Sequence, residues 1–139
     1  MEKYLEKLKN YGLKLTPRRQ AIIELFLNCK SHMTPEVVLH KLKIKIKCCG
    51  VPGIYRNLES LVECGILTRI QQFDRKRHYS LCSCIHDKHH HHITCIKCGK
   101  VDVIKDCSLH SVKKINGYKV VSHFMQINGI CPECSQRKK

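Results

Sequence analysis

Two Cys-x-x-Cys pairs, Cys95-Ile-Lys-Cys98 and Cys131-Pro-Glu-Cys134, stand 32 residues apart in the last third of the chain. A fold that joins them must send the intervening segment out and bring it back to close one tetrahedral site of four thiolates. Each pair turns two sulfurs toward one ion, and Gly99 frees the backbone after the first knuckle. Four soft sulfurs in a closed set favour structural zinc. A redox dithiol would not need a second pair. Just ahead of the first knuckle runs His89-His90-His91-His92. In a strand, alternate residues face opposite sides. His89 and His91 then point one way and His90 and His92 the other, so one strand can serve two metal sites back to back.

The chain has 139 residues, enough for one domain or two small ones. No apolar run reaches the ~18 residues of a membrane span, and the charged, amphipathic start is unlike a signal peptide. A cytoplasmic location is the default expectation. In a reducing compartment the eleven cysteines are not a disulfide framework. Cys29 and Cys64 fall in apolar helical patterns and read as small buried hydrophobes. The formal net charge is +15, spread over both halves: 16 basic and 7 acidic residues up to position 80, 10 and 4 beyond it. This excess points to a polyanion, DNA or RNA.

Residues 1–11 carry a helical stripe at Tyr4, Leu5, Leu8 and Tyr11, stopped by Gly12. Thr16-Pro17 and Thr34-Pro35 are helix starts, an N-cap with proline at the first helical position. Gly50-Val51-Pro52-Gly53 reads as a turn before a stripe at Ile54, Leu58, Leu61 and Val62, ended by Gly65. Ile66–Ile70 and Arg77–Leu81 read as two short strands around a polar tip. A leading helix, three more helices and a β-hairpin describe a winged helix-turn-helix whose last helix enters the major groove. The run Lys41–Lys47 either ends the helix begun at Pro35 or forms a small strand, with its charges solvated. Residues 83–88 read as a hinge between a DNA-binding domain, 1–82, and a metal-binding domain, 89–139. In the second domain, strands are expected over His89–Cys95, Lys100–Ile104, Tyr118–Ser122 and Phe124–Ile127, and a short helix over Ser108–Ile115. The fold class is therefore α+β.

Several segments together resemble the ferric uptake regulator family of metal-dependent repressors, closest to its zinc uptake branch. They are Gly12-Leu-Lys-Leu-Thr-Pro-Arg-Arg19, Ile54-Tyr-Arg-Asn-Leu58, Glu63-Cys-Gly-Ile-Leu67, the stretch His89–Lys100, Gly117-Tyr-Lys-Val120 and Gly129-Ile-Cys-Pro-Glu-Cys134. The resemblance implies an amino-terminal winged helix and a small carboxy-terminal α/β dimerisation domain. It implies a homodimer that binds a palindromic, AT-rich double-stranded DNA operator when metal is bound at the hinge. It assigns Cys95, Cys98, Cys131 and Cys134 to structural Zn2+. It brings Lys14 to the minor groove and Tyr55 and Arg56 to bases and backbone, with Arg18 and Arg19 in the same DNA-binding set. His123 matches a ligand of a second metal site, and His110 stands where that site usually has an acid. The second site is then His89, His91, His110 and His123.

For the regulatory site the resemblance implies His90 and His92 with ligands from the hinge. Cys82, with Cys84 as its alternative, matches a cysteine of the zinc uptake regulators, and His32 matches a ligand of the iron and peroxide sensors. The carboxylate positions of the latter are Ser80 and Val103 here, and the zinc sensors' acid is Thr68. The expected set is His32, Cys82, His90 and His92. Its softness favours Zn2+ over Fe2+ as co-repressor of metal-uptake genes. A ferrous-iron or peroxide sensor of the same family is the nearest alternative, and a zinc-ribbon RNA-binding or structural protein is the alternative of another class. Enzymatic activity is not expected. No P-loop, dinucleotide fingerprint or Ser/His/Asp set is present, and a zinc hydrolase would have only Asp87 or Asp102 as a local base. His40, His78 and His86 read as surface groups.

Overall fold

Four helices open the chain because four apolar stripes each carry their own start and stop. In the computed structural model, which describes residues 1–46, 50–84 and 89–137, α1 (Glu2–Asn10) buries Tyr4 and Leu8. α2 (Pro17–Leu27) starts where the Thr16 side chain accepts the Arg19 N–H at 3.2 Å. α3 (Pro35–Lys43) repeats the device, with Thr34 accepting from Val37 N at 3.4 Å. Each cap satisfies a backbone donor that the first helical turn leaves free, worth about 1 kcal/mol. The basic run from Lys41 ends α3 and turns at Ile44 and Lys45, with no strand among its described residues; Lys47 lies outside them.

α4 (Val51–Glu63) begins earlier than its sequence suggests. Gly50 is the N-cap, and Pro52 and Gly53 lie inside the first helical turn rather than in a turn before it. Proline at that point costs no hydrogen bond, since the first N–H groups have no partner in the helix. Beyond the C-cap Cys64, Gly65 takes φ +70° and reverses the chain into β1 (Leu67–Ile70). β1 pairs antiparallel with β2 (His78–Leu81). Ile22, Ile23, Phe26, Val38, Leu42, Ile54, Leu58, Leu61, Ile66 and Tyr79 close one core beneath the four helices and the hairpin.

The carboxy-terminal part is built differently. β3 (His91–Cys95) is the centre of a three-stranded sheet, antiparallel to β4 (Val101–Ile104) and parallel to β7 (Gln126–Gly129). β5 (Lys114–Ile115) and β6 (Tyr118–Lys119) form a small hairpin, and α5 (Pro132–Gln136) starts within the second knuckle, with Cys131 as its N-cap and Cys134 inside it. His89 and His90 therefore precede the strand instead of lying in it, and extended pairing stops short of Val120–Ser122. The helix expected at Ser108–Ile115 is absent; residues 108–111 form turns. A helix that short needs an apolar face to bury, and Leu109 is exposed. Among the described residues from 89 onward, the buried side chains are His91, His92, Thr94 and Cys95. The interior of this part is made of donor atoms, not hydrocarbon.

Among the described residues, the two parts touch at several places. Gln126 donates from Nε2 to Gln71 O at 2.9 Å and accepts from Gln71 N at 2.8 Å. Ser31 forms a bridge with Lys100, two residues before Met33 pairs with Tyr79 of β2. No helix among the described residues is long and apolar enough to cross a membrane.

Candidate metal centres and nucleic-acid interface

Three groups of donor atoms converge among the described residues, each with all its ligand atoms within 4.8 Å of one another. The first is Cys95, Cys98, Cys131 and Cys134. The parallel pairing of β3 with β7 aligns Cys95 with Gly129, which delivers the second knuckle beside the first. Cys98 Sγ lies 3.7 Å from Cys131 Sγ. Backbone N–H groups aim at the sulfurs, Cys131 N reaching Cys95 Sγ at 3.3 Å. Those of Cys131 and Cys98 pull the Cys95 thiol down to about 6. Hydrogen bonds with Cys131 and Cys98 push Cys134 up to about 12. Four thiols this close cannot all ionise unaided, and a dication removes the conflict. The set has no open position and fits a structural zinc ion. Gly99 is required here: its φ is +73°, and a Cβ would come 2.3 Å from Ser31 Oγ.

Cys82, His90 and His92 form the second group. Cys82 N donates to Ile66 O at 2.9 Å, which fixes its backbone to the winged-helix part. Its Sγ lies 3.2 Å from His90 Nε2, and the His90 and His92 rings stand edge to face at 5.0 Å. Burial, then the neighbouring His90, lowers the His92 pKa to about 4, so its imidazole is neutral at pH 7. His92 Nε2 is buried with no hydrogen-bond partner. A buried acceptor without a donor is costly unless something else satisfies it. The trio opens on a cavity of about 640 Å³ that Lys7, Glu6, Glu63 and Cys84 also line.

His89, His91, Cys107 and His123 are the third group. His91 Nε2, Cys107 Sγ and His123 Nε2 form a triangle with sides of 3.1, 3.1 and 3.2 Å. His89 Nε2 is buried and unpartnered beside it. The two histidine pairs thus diverge from β3 to opposite sites.

Two expected ligands stand elsewhere. His110 is exposed, its ring 4.5 Å from that of His89, and Cys107 occupies the donor position expected of it. Without the helix, the turn directs Cys107 inward and His110 outward. His32 does not join Cys82, His90 and His92. Its neighbours Ser31 and Met33 are pinned to Lys100 and Tyr79, so its ring packs edge to face on His78 at 4.7 Å. His78 is a buried group, not a surface one, and its Nε2 binds both oxygens of Asp74, at 3.0 and 2.8 Å. Asp102 is exposed on β4, accepts from Val103 N at 2.8 Å and joins none of the three groups. His86, Asp87 and most of the hinge, 85–88, lie outside the described residues. The sequence around Cys107 has no knuckle spacing, so no local signal marks it as a ligand.

On the helical part, Tyr55 and Arg56 lie near the start of α4, Arg56 exposed. Tyr55 Oη donates to Glu36 Oε1 at 3.2 Å, and the Arg77 guanidinium lies 6.0 Å from the tyrosine ring centroid. Lys14 is exposed, and Arg19 Nη1 donates to its carbonyl at 2.6 Å. Arg18 is half-buried, its Nη1 3.1 Å from where a Gly53 Cβ would stand. Arg19 holds the loop that presents Lys14, and Arg18 leans on the start of α4.

The model of the ferric uptake regulator family matches residues 10–128. The chain belongs to this family. It is 35% identical over 148 residues to the ferric uptake regulation protein of Neisseria meningitidis serogroup A, covering 100% of this chain and 99% of that protein. It is 28% identical to the peroxide operon regulator of Bacillus subtilis, covering 99% and 95%. The Helicobacter pylori ferric uptake regulator, a protein with three functional metal-binding sites, has a similar structure. Its TM-score is 0.61 at 26% identity, covering 99% and 95% of the two chains. A zinc uptake regulator complexed with zinc and DNA shares the fold with TM-score 0.76 at 20% identity, covering 93% and 88%. As a member of the family, the chain is a dimeric, DNA-binding, metal-responsive transcriptional repressor and not an enzyme.

Proposed function

We propose that this family member senses zinc, with zinc as co-repressor of metal-uptake genes. Its sensing site is the trio of Cys82, His90 and His92. The observation that carries this reading is the donor set: a thiolate and two imidazoles converge there, and one imidazole nitrogen is buried without a partner. Sulfur and nitrogen donors suit zinc, whereas ferrous sensing favours oxygen donors. Cys82, His90 and His92 would hold the zinc ion, which would supply a link between the two parts. Cys82 belongs to the end of the wing strand and the two histidines to the sheet of the dimerisation part. The trio therefore holds the DNA-binding head, residues 1–82, at a set angle to residues 89–139, with 83–88 as the hinge. A fourth ligand comes from the cavity wall, where Cys84, Glu63 and Glu6 stand. Metal favours the DNA-competent arrangement by binding it more tightly. His89, His91, Cys107 and His123 lie wholly in the dimerisation part and tune the response. Lys14, Tyr55 and Arg56 meet a palindromic, AT-rich operator.

The test uses the full chain and a duplex selected from a random pool by the zinc-loaded native protein. Binding is followed by fluorescence anisotropy during titration with zinc, manganese or, without oxygen, ferrous iron. Cys82→Ser should keep the dimer and the metal of the four-cysteine site but lose zinc-stimulated binding by at least tenfold. Full zinc stimulation in Cys82→Ser would refute the assignment. Activation of the native protein by ferrous iron and not by zinc would favour the iron-sensing alternative, toward which the Neisseria relative leans.

A further inference from the structure

Residues 29–33, between α2 and α3, leave the core of the DNA-binding head and touch the four-cysteine knuckle. On the head side they are firmly tied. Met33 N donates to Tyr79 O at 2.8 Å and Tyr79 N to Met33 O at 2.9 Å, so the segment lies antiparallel beside β2. The Cys29 thiol donates to Ser31 O at 3.2 Å. His32 packs edge to face on the buried His78 at 4.7 Å. Between these ties, Ser31 forms an antiparallel bridge with Lys100 of the other part.

What Ser31 meets is equally fixed. Gly99 N donates to Cys95 O at 2.9 Å and Cys95 N to Lys100 O at 2.8 Å, which closes the turn after the first knuckle. Lys100 Nζ bonds Glu133 Oε1 at 3.0 Å and ties that turn to the second knuckle. A side chain at position 99 would collide with Ser31 Oγ and stand 3.1 Å from His32 Nε2. The positive φ of Gly99 serves the turn. The missing Cβ serves the head, which rests directly on the knuckle backbone. The Gln71–Gln126 contact, by contrast, is made by one flexible amide side chain.

The Ser31 contact and the convergence of Cys82, His90 and His92 occur in the same arrangement of the two parts. Both spring from β2: Tyr79 carries the segment with Ser31, and Cys82 follows the strand's last residue. A head attached only at the trio can turn about that point, and a second attachment removes the turn. We infer that Ser31, seated on Gly99 and Lys100, is the positioning residue that makes the four-cysteine knuckle a stop for the DNA-binding head, so that closure of the Cys82, His90 and His92 trio brings the head against a fixed surface. The inference rests on the reading of that trio as the sensing site. It gives the knuckle a part in DNA binding beyond the fold it maintains. Stop and trio favour one arrangement, so each strengthens the other.

The test uses the full-length dimer with its four-cysteine site loaded and the duplex selected by the zinc-loaded native chain. Ser31→Leu puts a larger side chain against Gly99 and touches no thiolate, whereas Ser31→Ala keeps the close approach. Ser31→Leu should retain the dimer, the zinc of the four-cysteine site and the DNA affinity measured without added zinc. Its zinc stimulation of DNA binding should fall about tenfold, and by reciprocity DNA should tighten zinc binding less by the same factor. Residual dipolar couplings of backbone amides in the zinc-loaded chain should report a changed orientation of residues 1–82 relative to 89–137. Ser31→Ala should match the native chain in every readout. Gly99→Ala should reproduce the loss, and adding Ser31→Gly should restore part of it, because the two side chains compete for one space. A native zinc response and a native orientation in Ser31→Leu would refute the stop and leave the sensing reading intact. Equal loss of affinity with and without zinc would make Ser31 a plain DNA contact and refute the stop as well. If DNA binding by the native chain ignores zinc, the sensing reading falls and the stop with it.

Discussion

At the scale of single residues, Cys107 and His110 show how much a turn decides. They stand three apart, so on a helix they would share a face. In the turn that forms instead, Cys107 meets His91 and His123 and His110 stays outside. A thiol in place of the expected fourth imidazole makes the second donor set softer. Cys107→Ala should remove one tight zinc equivalent per chain in a chelator competition and shift the zinc dose-response of DNA binding by about tenfold, one ligand's worth. His110→Ala should leave the stoichiometry unchanged and shift the response less than threefold. The reverse ranking would restore the four-imidazole site. His32 carries the same lesson: its type suits a ligand, but the pairing of its neighbours fixes it against His78.

At the scale of elements, the helices were legible because stripe, cap and stop agree at each of them. The hairpin was legible from two apolar runs around a polar tip. What holds the hairpin to α4 was not legible. Glu59 collects Arg69, Tyr79 and Arg77 from residues 10 to 20 positions away. The hydrogen bond from Arg69 is the main cause of its lowered carboxyl pKa, against the opposing effect of burial. A lowered folded-state value means that Glu59 contributes stability above the ordinary glutamate pKa of about 4.3 and loses it as pH falls through the folded value. Arg69 is largely exposed, so solvent screens the pair and the contribution is about 1 kcal/mol. Glu59→Gln should lower the melting temperature by a few degrees at pH 7. The gap to native should close as pH drops below about 4, when native Glu59 is protonated too. A gap independent of pH would mean that packing, not charge, holds the hairpin.

For the whole molecule, the two parts differ in what keeps them folded. The amino-terminal part has an apolar core from Tyr4 to Tyr79. The carboxy-terminal part exposes Ile96, Tyr118, Val121, Phe124, Ile127 and Ile130, and buries donor atoms instead. That apolar surface suits a dimer partner, and the metal supplies the folding free energy that hydrocarbon does not. Cys95→Ser should therefore abolish the dimer in sedimentation and the dispersed spectrum of residues 89–137, while the helical signal of the amino-terminal part survives. A folded Cys95→Ser dimer would show that the four-cysteine site is not structural.

The sequence by itself determined the elements whose signals are local: caps, apolar periods, knuckle spacing and the alternation that splits the histidine run. These depend on contacts within a few residues and need no knowledge of the rest of the chain. Tertiary structure decided which distant donors complete each site. Cys82 reaches His90 and His92 because β2 ends beside β3, and Cys107 displaces His110 because no apolar surface supports a helix there. Ligand choice depends on ångström-scale placement across 16 to 32 residues of chain in the His91, Cys107 and His123 triangle. Periodicity and spacing do not encode that placement, whereas packing and strand register do.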